Sequence, residues 1–268
     1  MQETSLPTQA PVFRRVDSGH GLDWWRSAWR WLFHRGAAGV WIVMCLIALL
    51  IFGSLHVLGM LGAIAAHIGV FVFAGGLMLA ARKTEQGTPP AIGDLFAGFQ
   101  SSLGPLATGG ALLVIAAALV VWGALAVVGI GAAIGALESA MSGNLALLFG
   151  LFATFALVTL VALLLLLPVC MAAWLSPALI VLRQQPPVEA LKTSLAACWA
   201  NLGALSVYGL LWIAAAIVAT VPLFLGWLVL VPLAGPMMAL SAYAMYQDLF
   251  EATTLTPGPS PTGVGEGS

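Results

Sequence analysis

Long apolar runs, separated by short segments that gather nearly all of the charge, dominate this chain. A helix rising ~1.5 Å per residue needs about 20 apolar residues to cross ~30 Å of hydrocarbon. Six spans of that kind are predicted, at about 37–58, 61–81, 106–130, 145–182, 205–221 and 226–246. None of them contains Lys, Arg, Asp or Glu. The first two, joined by Gly59-Met60, read as a helical hairpin. The fourth is 38 residues long and broken by Pro168 and Pro177, so it is either one kinked helix or a span followed by a second short helix.

The connections between the runs have their own periodicity. After Pro89-Pro90, Ile92, Leu95, Phe96, Phe99 and Leu103 recur at helical spacing, and after Pro186-Pro187 so do Val188, Leu191, Leu195, Trp199 and Leu202. A third such segment precedes the first span. There Leu22, Trp25, Trp29 and Leu32 form one face and Arg26 and Arg30 another. Three short cytoplasmic amphipathic helices are therefore expected. Each leads into two spans, which suggests a threefold repeat of one amphipathic helix plus two spans. His67, Pro168 and Pro232 fall at matching distances before Arg82, Arg183 and Gln247, in keeping with that repeat.

Charge sets the orientation. The cations are Arg14, Arg15, Arg26, Arg30 and Arg35 before the first span, Arg82 and Lys83 after the second, and Arg183 and Lys192 after the fourth. With an even number of spans these segments share one side, and the outer turns carry only Glu138. The excess of cations on one side predicts that both termini are cytoplasmic. A cleavable signal fits less well, because the apolar region starts only near residue 37 and exceeds the roughly 7–15 residues of a signal core. Residues 1–17 and 252–268, polar and rich in Pro, Gly, Ser and Thr, are expected to be disordered tails flanking a transmembrane domain at 18–251.

Composition narrows the class further. Hydrophobic residues make up 61% and charged residues 7% of the chain, with a mean hydropathy of +1.05, against roughly 25% charged in soluble domains. The expected fold is an all-α polytopic membrane protein. A net charge of −1 with no basic cluster argues against nucleic acid as a partner. Cys45, Cys170 and Cys198 are far apart and read as free buried thiols.

The chemistry-bearing residues are few. No H-E-x-x-H, G-x-S-x-G, Walker or C-x-x-C sequence is present, and no catalytic, cofactor or metal residue is assigned, so an enzyme is not expected. His56 and His67 flank the first outer turn and Glu138 lies in the next outer loop. Together they could bind zinc or relay a proton, but their spacing is not that of a ligand set, and a histidine at an interface more often bonds a carbonyl. Pro168, Pro177, Pro232, Gly235 and Pro236 are candidate helix breaks. Each proline frees a carbonyl four residues earlier, either as a structural kink or as exposed backbone at a solute site. Gly69, Gly75-Gly76 and Gly129-Ile130-Gly131 are expected to let helices approach closely. Trp24, Trp25, Arg26, Trp29 and Arg30 are the candidate lipid or interface contacts, because indoles favour the headgroup level and arginines reach phosphates.

The Trp-rich start, Asp94-Leu95-Phe96-Ala97-Gly98-Phe99, Trp174-Leu175-Ser176-Pro177-Ala178-Leu179 and Tyr246-Gln247-Asp248-Leu249-Phe250 resemble a family of uncharacterised bacterial integral membrane proteins known mainly by a locus-tag name. The resemblance covers about residues 20–250. It implies a six-span helical fold in the bacterial inner membrane and carries no activity, cofactor or catalytic residue. Two functions are then expected to compete. One is a non-enzymatic membrane protein engaging lipid, another membrane protein or itself through its interfacial helices. The other is a transporter or channel for a neutral or weakly polar solute, using the broken fourth and sixth spans.

Overall fold

The computed structural model describes residues 13–33, 36–142, 146–221 and 224–251, side chains excepted at 132, 136–142, 146–149 and 151. Among these residues there is no strand. The helices run α1 (His20–Phe33), α2 (Ala38–His56), α3 (Gly59–Glu85), a 3-10 turn (Ile92–Phe96), α4 (Ala97–Ser101), α5 (Leu103–Ser142), α6 (Ala146–Arg183), α7 (Pro187–Ala200), α8 (Leu202–Thr220) and α9 (Trp227–Tyr246), ending in a π-turn (Gln247–Glu251). Six of them, α2, α3, α5, α6, α8 and α9, are long and apolar enough to cross a bilayer. The protein is an all-α, multi-pass membrane protein, as the hydropathy pattern predicts.

Local chemistry sets the ends of the helices. The α2–α3 turn places Gly59 at a φ of +68°, and α3 closes on Gly87 at +78°, a left-handed backbone that costs glycine little. Gly87 N–H reaches the Thr84 carbonyl at 3.1 Å and Thr88 N–H the Lys83 carbonyl at 2.9 Å. This doubly bonded C-terminal cap satisfies carbonyls that would otherwise lack partners. The 40 residues of α5 make a helix of ~60 Å, about twice the hydrocarbon thickness. α6 runs unbroken through Pro168 and Pro177, so the fourth apolar stretch is one helix.

The chain forms two compact units, residues 39–196 and residues 1–38 with 197–268. In the first, α3 packs against α5, α6 and the short 92–101 segment. Small residues decide the closeness: a Cβ on Gly76 would lie 2.3 Å from the Leu95 carbonyl oxygen, and one on Gly98 2.2 Å from that of Val72. Gly75 is packed against Leu106 and Val181 in the same way. Gly69 only touches Phe52, and Gly129, expected to seat a neighbouring helix, faces open space.

The amphipathic helix expected from residue 92 is instead a 3-10 turn and a single helical turn, with Leu95 buried while Ile92, Phe96, Phe99 and Leu103 stay exposed. Asp94 caps its start, turning its carboxylate back onto Ala91 N–H at 2.9 Å. A non-helical backbone at Ser102 then separates it from α5.

In the second unit α1 packs on α8 and α9. Its inward row is Gly21, Trp24, Ala28 and Leu32, and a Cβ on Gly21 would meet the Ala204 carbonyl oxygen at 2.2 Å. The packing unit thus joins the first amphipathic helix to the last two spans, whereas the threefold repeat describes only the order of elements. Residues 13–17, expected within a disordered tail, bond to the rest of this unit. Arg14 N–H bonds the Leu249 carbonyl at 2.7 Å, Val16 N–H bonds Asn201 Oδ1 at 2.8 Å, and the Phe13 ring meets Phe250 edge-on. The rest of the predicted tails, Arg35 and the side chain of Glu138 lie outside the described residues. Cys45 and Cys198 are buried as expected, but Cys170 is exposed on α6.

Candidate functional site

The densest polar constellation sits where α9 gives way to its terminal π-turn, on the side chain of Asp248. Oδ2 accepts from Trp24 Nε1–H at 2.9 Å and from His20 Nδ1–H at 2.7 Å, while Oδ1 pairs with the Arg14 guanidinium. Three elements far apart in sequence, the 13–17 segment, α1 and the end of α9, thus meet on one carboxylate. Asn201 ties in the start of α8, donating to the Arg14 and Ala197 carbonyls at 3.2 and 2.8 Å. Charge-assisted bonds of this kind are short and strong. Here they offset the charge of Asp248 and fix α1 against α9 as a clamp. Beside it opens a cleft of about 440 Å3 lined by His20, Asp23, Ser27, Trp31, Gln247 and Glu251 among others.

A second clamp of the same design lies in the other unit. Asp94 accepts from Lys83 Nζ at 2.5 Å and from Ala91 N–H, and the following Leu95 is buried, as Leu249 is after Asp248. Both carboxylates lie in the motifs that carry the family resemblance, but the sequence assigns neither a role at a site. The available signal was the tripeptide Asp-Leu-Phe, which occurs at 94–96 and again at 248–250, each time just after a span.

The candidate interface residues divide between inside and outside. Trp24 is 2% exposed, so it cannot touch lipid; its indole is used by Asp248. Trp25 turns inward too, packing edge-on against Trp212 at 4.9 Å and near Tyr208. Arg26, Trp29 and Arg30 remain outside, and Phe33 joins them. At positions i, i+3, i+4 and i+7 these four form one stripe. The Trp29 and Phe33 rings lie 4.6 Å apart within it. Among the described residues Arg26 and Arg30 make only long intrahelical bonds, 3.4 Å to Asp23 and 3.2 Å to Ser27 Oγ, so both guanidinium groups can turn to another ligand.

The break at Pro177 is satisfied within the protein. Pro177 cannot donate to the Ala173 carbonyl, and the Ser176 hydroxyl bonds that oxygen at 3.2 Å and the Ala172 oxygen at 2.7 Å. One turn earlier, Ser194 of α7 inserts into the α6 ladder, accepting from Leu175 N–H at 3.0 Å and donating to the Met171 carbonyl at 2.7 Å. A hydroxyl bridging a helical bond in this way is one of the identifiable causes of bending. In the other unit Ser241, buried near Pro236, bonds the Met237 carbonyl and sits 2.7 Å from the Tyr208 hydroxyl. Gly235 and Pro232 are half-buried in the same helix, as Pro168 is in α6.

His56 and His67 come together, with ring centroids 5.9 Å apart. Each bonds a carbonyl of its own helix, Phe52 and Ala63 respectively, through Nδ1 at 2.7 Å. Among the described residues no group of three or more His, Cys, Asp or Glu is placed to hold a metal ion.

Comparison with known proteins adds a class and no chemistry. No protein-family profile matches the chain, and neither does any solved structure. A protein of Burkholderia thailandensis named "Probable inner membrane protein BTH_II0599" is 50% identical over 50 residues, 19% of this chain and 18% of that relative. The chain therefore matches less than a fifth of that protein's length, and the likeness agrees with the six apolar helices in indicating a membrane protein.

Proposed function

We propose that this chain is a non-enzymatic integral protein of the bacterial inner membrane, with both termini cytoplasmic, that engages anionic lipid headgroups through the outer stripe of α1. One observation carries the reading: α1 is clamped by Trp24 and Asp248 while its opposite stripe offers Trp29 and Phe33 beside Arg26 and Arg30. Such a stripe places rings at the acyl boundary and cations at the phosphates. The gathering of Lys and Arg in alternate connections favours a cytoplasmic placement for α1, and the relative's name agrees with an inner-membrane location. A solute pathway through α6 and α9 has less support, because Ser176 and Ser241, the hydroxyls beside those breaks, are buried and bonded to carbonyls.

The test uses the full chain in nanodiscs of phosphatidylcholine with a minor fraction of phosphatidylglycerol. Each Arg near an anionic surface contributes about 1 kcal/mol, so Arg26→Gln with Arg30→Gln should weaken phosphatidylglycerol retention by up to roughly thirtyfold. Equal recovery of anionic lipid by parent and variant counts against the proposal.

A further inference from the structure

The histidine pair at the first hairpin has an arrangement that a merely satisfied histidine does not require. His56, at the end of α2, and His67, two turns into α3, lie across the turn at Gly59 with their rings inclined at 60°. A carbonyl oxygen can only accept, so the bonds to Phe52 and Ala63 fix the proton of each neutral ring on Nδ1 and leave the lone pair on each Nε2. Metal-binding histidines are prepared in this way, one nitrogen held by a backbone or carboxylate partner and the other presented to the ion.

Both side chains are exposed rather than packed inside the helix pair. Two imidazoles that each reach one metal at ~2.1 Å from Nε2 have ring centres roughly 5–6 Å apart. The separation of 5.9 Å falls in that range.

We propose that His56 and His67 form an open site for a divalent transition ion of borderline softness, such as Zn2+ or Ni2+, at the α2–α3 turn. Imidazole suits these ions better than Mg2+ or Ca2+, which seek oxygen. With no third side-chain ligand among the described residues, water completes the coordination shell. The site is accordingly exchangeable, unlike the closed four-ligand sites that hold zinc for structure. Binding would tie the end of α2 to α3.

The experiment is equilibrium dialysis of the purified full chain in detergent micelles against Zn2+ alone, with metal content measured for the parent, His56→Ala and His67→Ala. The parent should retain one zinc ion per chain that both single variants lose, and Zn2+ should raise the unfolding temperature of the parent only. Because both residues are exposed, the metal-free unfolding temperatures should agree. If an alanine variant does not fold, glutamine at the same position provides the comparison. Zinc retained at the parental level by either variant, or no zinc retained by the parent, overturns the proposal.

Discussion

Asp248→Ala removes the acceptor on which three segments converge, and the size of its effect can be worked from the contacts. Trp24 is almost fully buried, so the substitution leaves its indole N–H without its carboxylate partner; a hydrogen bond to a charged group contributes about 1.5–3 kcal/mol. The Arg14 pair counts for less, since its guanidinium side chain is 42% exposed and such pairs contribute about 0–1 kcal/mol. His20, also partly exposed, adds on the order of 0.5–1 kcal/mol. The expected loss is about 3 kcal/mol, with Asp248→Asn losing roughly half, because the amide oxygen still accepts from Trp24. Unfolding of the detergent-solubilised chain, followed by tryptophan fluorescence across a denaturant series, measures both. Combined with Trp24→Phe in a double-mutant cycle, Asp248→Ala should show a coupling of about 1 kcal/mol or more. Additivity within ~0.3 kcal/mol, or parental stability of Asp248→Ala, refutes the assignment of Asp248 as the clamp.

Two further predictions concern the other unit. Ser194→Ala withdraws the hydroxyl that bridges Leu175 N–H and the Met171 carbonyl, and should destabilise the chain by about 1–3 kcal/mol in the same unfolding assay; no change would mean that α6 recloses its own hydrogen bond. Gly76→Ala drives a methyl group to 2.3 Å from the Leu95 carbonyl oxygen and should cost about 1–3 kcal/mol, whereas Gly129→Ala, with open space around it, should be close to neutral by the same measurement.

The candidate site was only partly legible in the sequence. The spacing along α1 puts Leu22, Trp25, Trp29 and Leu32 on one face, whereas the helix, in a partial inversion, buries Gly21, Trp24, Ala28 and Leu32 and leaves Trp29 outside. The same inversion occurs in α7, which turns Ala190, Ser194, Ala197 and Cys198 inward and leaves Val188 and Trp199 exposed. The rule that large apolar residues face the core holds in water. Beside lipid the outer face is apolar too, and small or hydrogen-bonding residues choose the neighbour. Asp248 and Asp94 stand in the resemblance motifs without a role, because a lone carboxylate after a span resembles any solvated charge until its partners are placed.

The sequence by itself determined the membrane class, the six crossings and the distribution of cations, because each follows from local length and polarity weighed against a bilayer ~30 Å thick. The tertiary structure alone decided which side of each amphipathic segment is buried, that Arg14, His20 and Trp24 share Asp248, that Ser176 bonds the carbonyl freed by Pro177 while Ser194 enters the α6 ladder, and that His56 faces His67. Those outcomes depend on contacts between residues as much as 234 positions apart. Hydropathy records the transfer of each residue into lipid, and it carries no term for the partner that a polar atom finds there.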